Sequence, residues 1–333
     1  MPDDAIGEAA GLTSPHESDT FVGTPLTASE QAARKLLEAL EAADYQFTAP
    51  TPETHRRVVA RASMRTAHNL RGVFGWSLPF DEGLVGPDIL ALLRGARFLR
   101  EAPSGYKSKV RASRVRGRLF LHSAYPTTSD ESVFLGPDSI RFADFLIAQL
   151  AEAQGVARLV DIGAGAGVGG IIAGRELPGA AVELVDINLA ALGLARVNAV
   201  HAGVSAVAYE SDGVERVAPG FDIAIANPPF IIDEDGPSYR AGGGMHGAEH
   251  SLDWTMAAAL KLAPGGRVLL YTGSAIVEGR DALAAALEAQ LPSLGCSLNY
   301  RELDPDIFGD QLDHPGYEEV ERIAAIGAVV SKD

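Results

Sequence analysis

From Ala157 onward, short apolar runs alternate with helical segments, and this alternation constrains the fold more than any other feature of the chain. Seven runs read as strands: Ala157–Asp161, Ala181–Asp186, Ala206–Tyr209, Asp222–Ala226, Arg267–Tyr271, Cys296–Tyr300 and Ala324–Val330. Helices fit between most of them, as at 188–201, 249–262 and 280–291. Such alternation predicts an α/β fold with a doubly wound, mainly parallel sheet. Ligands of these sheets sit beyond the carboxyl ends of the strands, near the point where strand order reverses.

The part before the alternation differs. Residues 1–26 are rich in Gly, Pro, Ser, Thr and acids, with no basic residue before Arg34, and predict a disordered acidic tail. Thr27 followed by Glu30 reads as a capped helix start, with Leu36, Leu37 and Leu40 at helical spacing. Thr51-Pro52-Glu53 reads as a second start, and Pro87 to Leu93 begins another helix. Residues 27–104 are therefore expected to form a small helical, basic accessory domain for substrate recognition. Lys109–Val115 and Leu119–Ser123, separated by Arg116-Gly117-Arg118, predict a β-hairpin within a linker at 105–134. The amphipathic helix Ser139–Leu150 then opens a last domain, 135–333.

Composition narrows the class. Hydrophobic residues are 47% and charged residues 22%, as in globular chains. No apolar run approaches the ~18–20 residues needed to span a bilayer, so no membrane partner is expected. The first residues lack the charged-then-apolar pattern of a signal peptide. Cys296 is the only cysteine, which excludes an intrachain disulfide and a cysteine-built zinc site. A reducing cytoplasm is the expected setting. The net charge is −16, yet residues 55–122 hold fourteen Arg and Lys against four Asp and Glu, a local +10. That asymmetry suits an acidic or nucleic-acid partner, or a solvated helical face.

Three motifs carry chemistry. The first is DIGAGAGVGG, residues 161–170, placed after a strand and before a helix. Gly163, Gly165 and Gly167 let the backbone turn and approach a ligand, and the helix offers free N–H groups. Gly165, Gly167 and Gly170 also satisfy G-x-G-x-x-G, which keeps a nicotinamide dinucleotide open. The second is Asp186, at the end of the next strand. Its carboxylate suits the two hydroxyls of a ribose, in a dinucleotide or an adenosyl group alike. It could instead cap the following helix, a role that Asn188 could also take. The third is Ala226-Asn227-Pro228-Pro229-Phe230 after the fourth strand. Two prolines end the ladder there. Pro228 has a carbonyl but no N–H, and with the Asn227 amide it can present two oxygens to an –NH₂ group. Phe230 can stack on a planar amide or base.

With these residues the chain resembles a class I S-adenosylmethionine-dependent methyltransferase of the methyltransferase small domain group. That group includes release-factor glutamine, rRNA guanine-N2 and some adenine-N6 methyltransferases. The resemblance covers about 135–333 and implies a seven-stranded Rossmann-like methyltransferase sheet. It further implies that Asp161, Gly163, Ala164, Gly165 and Gly167 surround the methionine part of the cofactor. Asp186, with Ile187 beside it, would hold the ribose, and Asp212 and Gly213 the adenine. Asn227 and Pro228, followed by Pro229, would hold the target nitrogen under Phe230. No metal and no covalent intermediate are implied. His246 and His250 are four apart, but the glycines around them argue against a metal site, and a helix start near 249–251 with a solvated histidine is expected instead. In the glycine-rich loop, Tyr239 and Arg240 are candidate substrate contacts. The expected acceptor is a protein glutamine or an RNA base of the translation apparatus, reached through the basic segment. A small-molecule acceptor, a non-catalytic binding module and an oxidoreductase are the alternatives.

Overall fold

A computed structural model describes residues 25–232 and 242–333. The expected acidic tail lies outside the described residues except for its last two positions.

The N-terminal helices begin where local chemistry demands. In α1 (Ala28–Ala42), the Thr27 hydroxyl accepts from the Glu30 N–H, and the Glu30 carboxylate accepts from the Thr27 N–H at 2.8 Å. Ala33, Leu36, Leu37 and Leu40 are buried on one face. Helix α2 (Pro52–Val59) is capped by Thr51, and its proline occupies the first turn, where no N–H is needed. A short α3 (Leu70–Phe74) and α4 (Glu82–Gly95), kinked at Gly86, follow.

Two hairpins come next. β1 (Leu99–Ala102) pairs with β2 (Gly105–Ser108), and β3 (Val110–Val115) with β4 (Arg118–Ser123). The second is the hairpin expected from the sequence, turning at Arg116 and Gly117, both at positive φ. The first has no counterpart in the sequence reading, and residue 104 lies in its turn. Its strands are only four residues each and mostly half-buried or exposed, so they leave no alternation to read. The accessory segment also shares its core with the rest of the chain. One apolar cluster runs from Leu36, Leu37 and Phe74 through Leu121 to Ile171 and Leu184.

Helix α5 (Pro137–Leu150) leads to β5 (Arg158–Ile162), α6 (Val168–Glu176), β6 (Ala181–Asp186), α7 (Leu189–Ala202), β7 (Ala206–Glu210) and β8 (Phe221–Ala226). After a single turn, α8 (Gly244–Gly247), come α9 (Glu249–Lys261), β9 (Leu262–Val277), β10 (Arg280–Asp281), α10 (Ala282–Gln290), β11 (Cys296–Asp304) and β12 (Arg322–Lys332). The main sheet has the order β11-β12-β9-β8-β5-β6-β7, with β10 paired to the end of β9. Strands β5 to β9 run parallel, and β12 lies antiparallel between β9 and β11. This is the doubly wound, seven-stranded sheet that the alternation and the resemblance predict. Strand β9 is far longer than the expected Arg267–Tyr271, because β12 pairs along most of it and β10 extends it. The order reverses at β5, between β6 and β8, so the ligand position lies beyond their carboxyl ends.

Asn188, not Asp186, caps α7: its Oδ1 accepts from the N–H groups of Ala190 and Ala191 at 2.9 and 3.3 Å. Further along α7, the fully buried Asn198 exchanges two hydrogen bonds with the Leu121 backbone of β4 and donates to the Ala166 carbonyl at 2.9 Å. One satisfied amide thus ties the accessory hairpin to the glycine-rich loop.

Candidate active site

A cavity of about 580 Å³ opens beyond the ends of β5, β6 and β8, a size typical of small-molecule sites. The loop from β5 to α6 forms its floor. Gly163 and Gly165 lie at φ +66° and +54°, in the left-handed region that favours glycine. A Cβ on Gly163 would lie 2.7 Å from the Trp254 ring, whereas one on Gly165 would meet nothing, because it faces the opening. Ala164 lines the cavity as well. Gly167 does not: it stands at φ +79° as the N-cap of α6, packed against Ile171 and Ala195.

Two carboxylates brace this loop. Asp186 accepts from the Gly165 N–H at 2.8 Å on one oxygen and from the Asn188 N–H at 2.9 Å on the other. The carboxylate lines the cavity, and its two oxygens offer four acceptor sites in all. Asp161 accepts from the Gly170 N–H at 2.6 Å and is almost fully buried. Burial pushes its carboxyl up to about 7, against the pull of that bond. Burial also raises Asp186, again against its backbone bonds. Ile187 stays 58% exposed at the rim, an apolar surface facing the cavity. Asp212 and Gly213 line the same side, and the Gly213 Cβ position is 3.5 Å from Trp254.

Opposite, Asn227, Pro228, Pro229 and Phe230 line the cavity at the end of β8. The Asn227 Oδ1 is buried without a hydrogen-bond partner among the described residues. Leaving an acceptor in that state costs about 1–3 kcal/mol, a cost that a ligand N–H would remove. The Phe230 ring lies over Gly273, where a Cβ would be 2.4 Å from it, and against Phe308 at 5.6 Å between centroids. Gly273 is therefore a close-approach glycine that lets this ring sit down on β9.

Sequence reasoning missed several walls. Trp254 and His250 project from α9, with their rings stacked at 6.3 Å, and both line the cavity. The histidine expected to be solvated at the start of α9 is half-buried here. Thr51, Pro52 and Tyr125 reach the cavity from the accessory segment, and Phe308, Asp310 and Gln311 from the turn between β11 and β12. Asp138, bonded by the Tyr271 hydroxyl at 3.0 Å, lies at its inner edge, raised by burial. Tyr239 and Arg240 lie outside the described residues. Among the described residues no group of three or more His, Cys, Asp or Glu side chains is arranged to hold a metal. No helix there is long and apolar enough to cross a membrane.

Fold and cavity together define the class: a doubly wound, Rossmann-like α/β sheet with a cavity at its topological switch. Residues 128–248 match the family model described as Methyltransferase small domain. A curated relative, the Ribosomal RNA small subunit methyltransferase C of Hahella chejuensis, is 46% identical over 87 residues, which cover 26% of this chain and 25% of that protein. The Release factor glutamine methyltransferase of Bradyrhizobium diazoefficiens is 26% identical over 279 residues, 74% of this chain and 91% of that protein. A solved SAM-dependent methyltransferase from Agrobacterium tumefaciens covers 70% of this chain and 72% of its own at 17% identity, with a TM-score of 0.47. The chain spans only about a quarter to two fifths of the length of the first ribosomal RNA relatives.

Proposed function

We propose that this protein is an S-adenosylmethionine-dependent N-methyltransferase acting on a planar amino nitrogen of a macromolecule of the translation apparatus, and that the acceptor is an RNA base. The observation that carries the transfer reading is the unpartnered Asn227 Oδ1 beside Pro228, in a cavity framed by a glycine-rich loop and a strand-end carboxylate.

The residues present fit the cofactor. The turn at Gly163–Gly165 leaves open room for its amino-acid end, and Asp186 has lone pairs left for two ribose hydroxyls. Ile187 offers an apolar face for an adenine, with Asp212, Gly213 and Trp254 around it. When bound, the cofactor supplies a methyl group already activated on a sulfonium. What the chain adds is alignment. The Asn227 side-chain oxygen and the Pro228 carbonyl accept the two N–H bonds of the acceptor amine and aim its lone pair across the cavity. Pro228 cannot offer a competing donor. No general base is assigned, because the amine proton leaves after attack.

The preference for RNA rests on charge and placement. Thr51 and Pro52, the cap and first residue of α2, lie on the cavity wall, and exposed basic residues follow, Arg56 and Arg57 on the helix and Arg61 and Arg65 just after it. Glu53 pairs with Arg56 and Arg57, and among the described residues no ion pair holds Arg61 or Arg65. An RNA backbone reaching the cavity over this ridge would gain counterion release. The 46% identity over 87 residues to a ribosomal RNA methyltransferase supports the same reading. The long alignment with a release factor glutamine methyltransferase favours a protein glutamine as the second reading. The single cysteine fits a reaction in the cytoplasm.

The test is methyl transfer from labelled S-adenosylmethionine into an extract, followed by separate ribonuclease and protease digestion. Ribonuclease-sensitive label is expected, and Asn227→Ala abolishes it while cofactor affinity stays within about two-fold. Label released only by protease would replace the base with a protein amide. An Asn227→Ala enzyme with normal turnover would remove the proposed grip on the nitrogen.

A further inference from the structure

The turn between β11 and β12 places an aromatic ring and a carboxylate in the cavity next to the residues that would grip the acceptor. Phe308 lies at φ +55°, a left-handed conformation that a bulky side chain rarely adopts. It starts the short 3₁₀ turn Gly309–Asp313, and its carbonyl accepts from the Gln311 N–H at 2.8 Å. The turn is anchored on both sides. The Ile307 N–H donates to Ile323 at 2.7 Å, and the Tyr317 hydroxyl accepts from the Ile232 N–H at 2.8 Å, just beyond Phe230. Phe230 itself is 8% exposed, with one face on Gly273. Phe308 is only half-buried and lines the cavity together with Asp310 and Gln311. Of the two neighbouring rings that line the cavity with Asn227, the more open is thus Phe308, not Phe230.

We propose that this turn selects the acceptor: Phe308 is the face on which the acceptor ring rests, and Asp310 accepts a hydrogen bond from a ring N–H beside the amine. The inference rests on the N-methyltransferase reading and deepens it. A carboxylate attracts a base edge with a ring N–H next to its exocyclic amine, as guanine has. It repels the ring nitrogen lone pair of adenine and the carbonyl oxygen of a glutamine amide. The backbone strain at Phe308 fits this role, since such conformations persist at ligand-clamping sites when the surrounding structure fixes them.

The experiment is calorimetric titration of the S-adenosylhomocysteine-loaded protein with guanosine monophosphate, adenosine monophosphate and N-acetylglutamine amide. Guanosine monophosphate is expected to bind best. Phe308→Leu keeps the apolar volume but loses the π-face, and weakens that binding by about ten-fold or more; Phe308→Tyr restores it. Asp310→Asn narrows the preference for guanosine over adenosine monophosphate. A purely structural Phe308 would be rescued equally by Leu and Tyr, and that result overturns the proposal. So does tightest binding of the glutamine amide, or no binding of any probe to wild type. Failure of the wider reading looks different, because the protein would then fail to bind S-adenosylhomocysteine at all.

Discussion

Asp161→Asn isolates the electrostatic strain stored under the glycine-rich loop. In the folded protein burial pushes the Asp161 carboxyl from 3.8 up to about 7. In the unfolded chain it titrates near 3.9. Because the folded value is the higher one, the folded state holds a proton that the unfolded state has already lost between those two values. Stability from this group is therefore complete below about pH 4, falls as pH rises toward 7, and is flat above. At about 1.4 kcal/mol per pH unit over a window of about three units, the loss approaches 4 kcal/mol. That figure is an upper bound, since relaxation around the site would reduce it. Asparagine keeps an oxygen for the Gly170 N–H, now bonded at 2.6 Å, and has no charge to bury. Urea unfolding of both proteins from pH 4.5 to pH 8.5 is the assay. The variant is expected to gain on wild type by roughly 2–4 kcal/mol across that range, with most of the change below pH 7. A difference between the two proteins that does not vary with pH would refute the reasoning, since it would mean that Asp161 is charged throughout.

Gly163→Ala combines a left-handed φ with a Cβ 2.7 Å from the Trp254 ring, so it should abolish cofactor binding in calorimetry and lower stability. Gly117→Ala, at φ +77° in open space, should cost only the backbone strain of about 1–2 kcal/mol. Asp186→Ala removes the acceptor for two backbone N–H groups and the proposed ribose contacts. Cofactor affinity should fall at least ten-fold, from hydrogen bonds to a charged group worth about 1.5–3 kcal/mol each. Unchanged affinity would move the ribose contact elsewhere. Arg61→Ala with Arg65→Ala should weaken RNA binding and flatten its salt dependence by about one logarithmic unit of slope or more. Cofactor affinity should not change, and a filter-binding series in rising salt reads both.

What the sequence made legible is what local rules decide. Thr27, Thr51 and Asn188 cap helices because each side chain reaches an N–H two or three residues on. The glycines at 163 and 165 reveal a tight turn because that residue type adopts their φ without strain. The Asn227-Pro228 pair lies at a strand end, which in a doubly wound sheet is already the ligand side. None of this required knowing which segments meet. The walls of the cavity did. Trp254 touches Gly163 from ninety-one positions away, through the way α9 packs. Asn198 holds the hairpin from seventy-seven away. The length of β9 was hidden because its partner β12 lies at the far end of the chain. The same division explains why the motif proposed to grip the nitrogen does not name the acceptor. Two oxygens in a row suit any –NH₂ group. Discrimination must then come from surfaces brought in by tertiary packing, from α2 on one side and from the turn at Phe308 on the other. Substitutions in the strand-end motif should therefore change whether transfer occurs, and substitutions in those two walls should change what receives the methyl group.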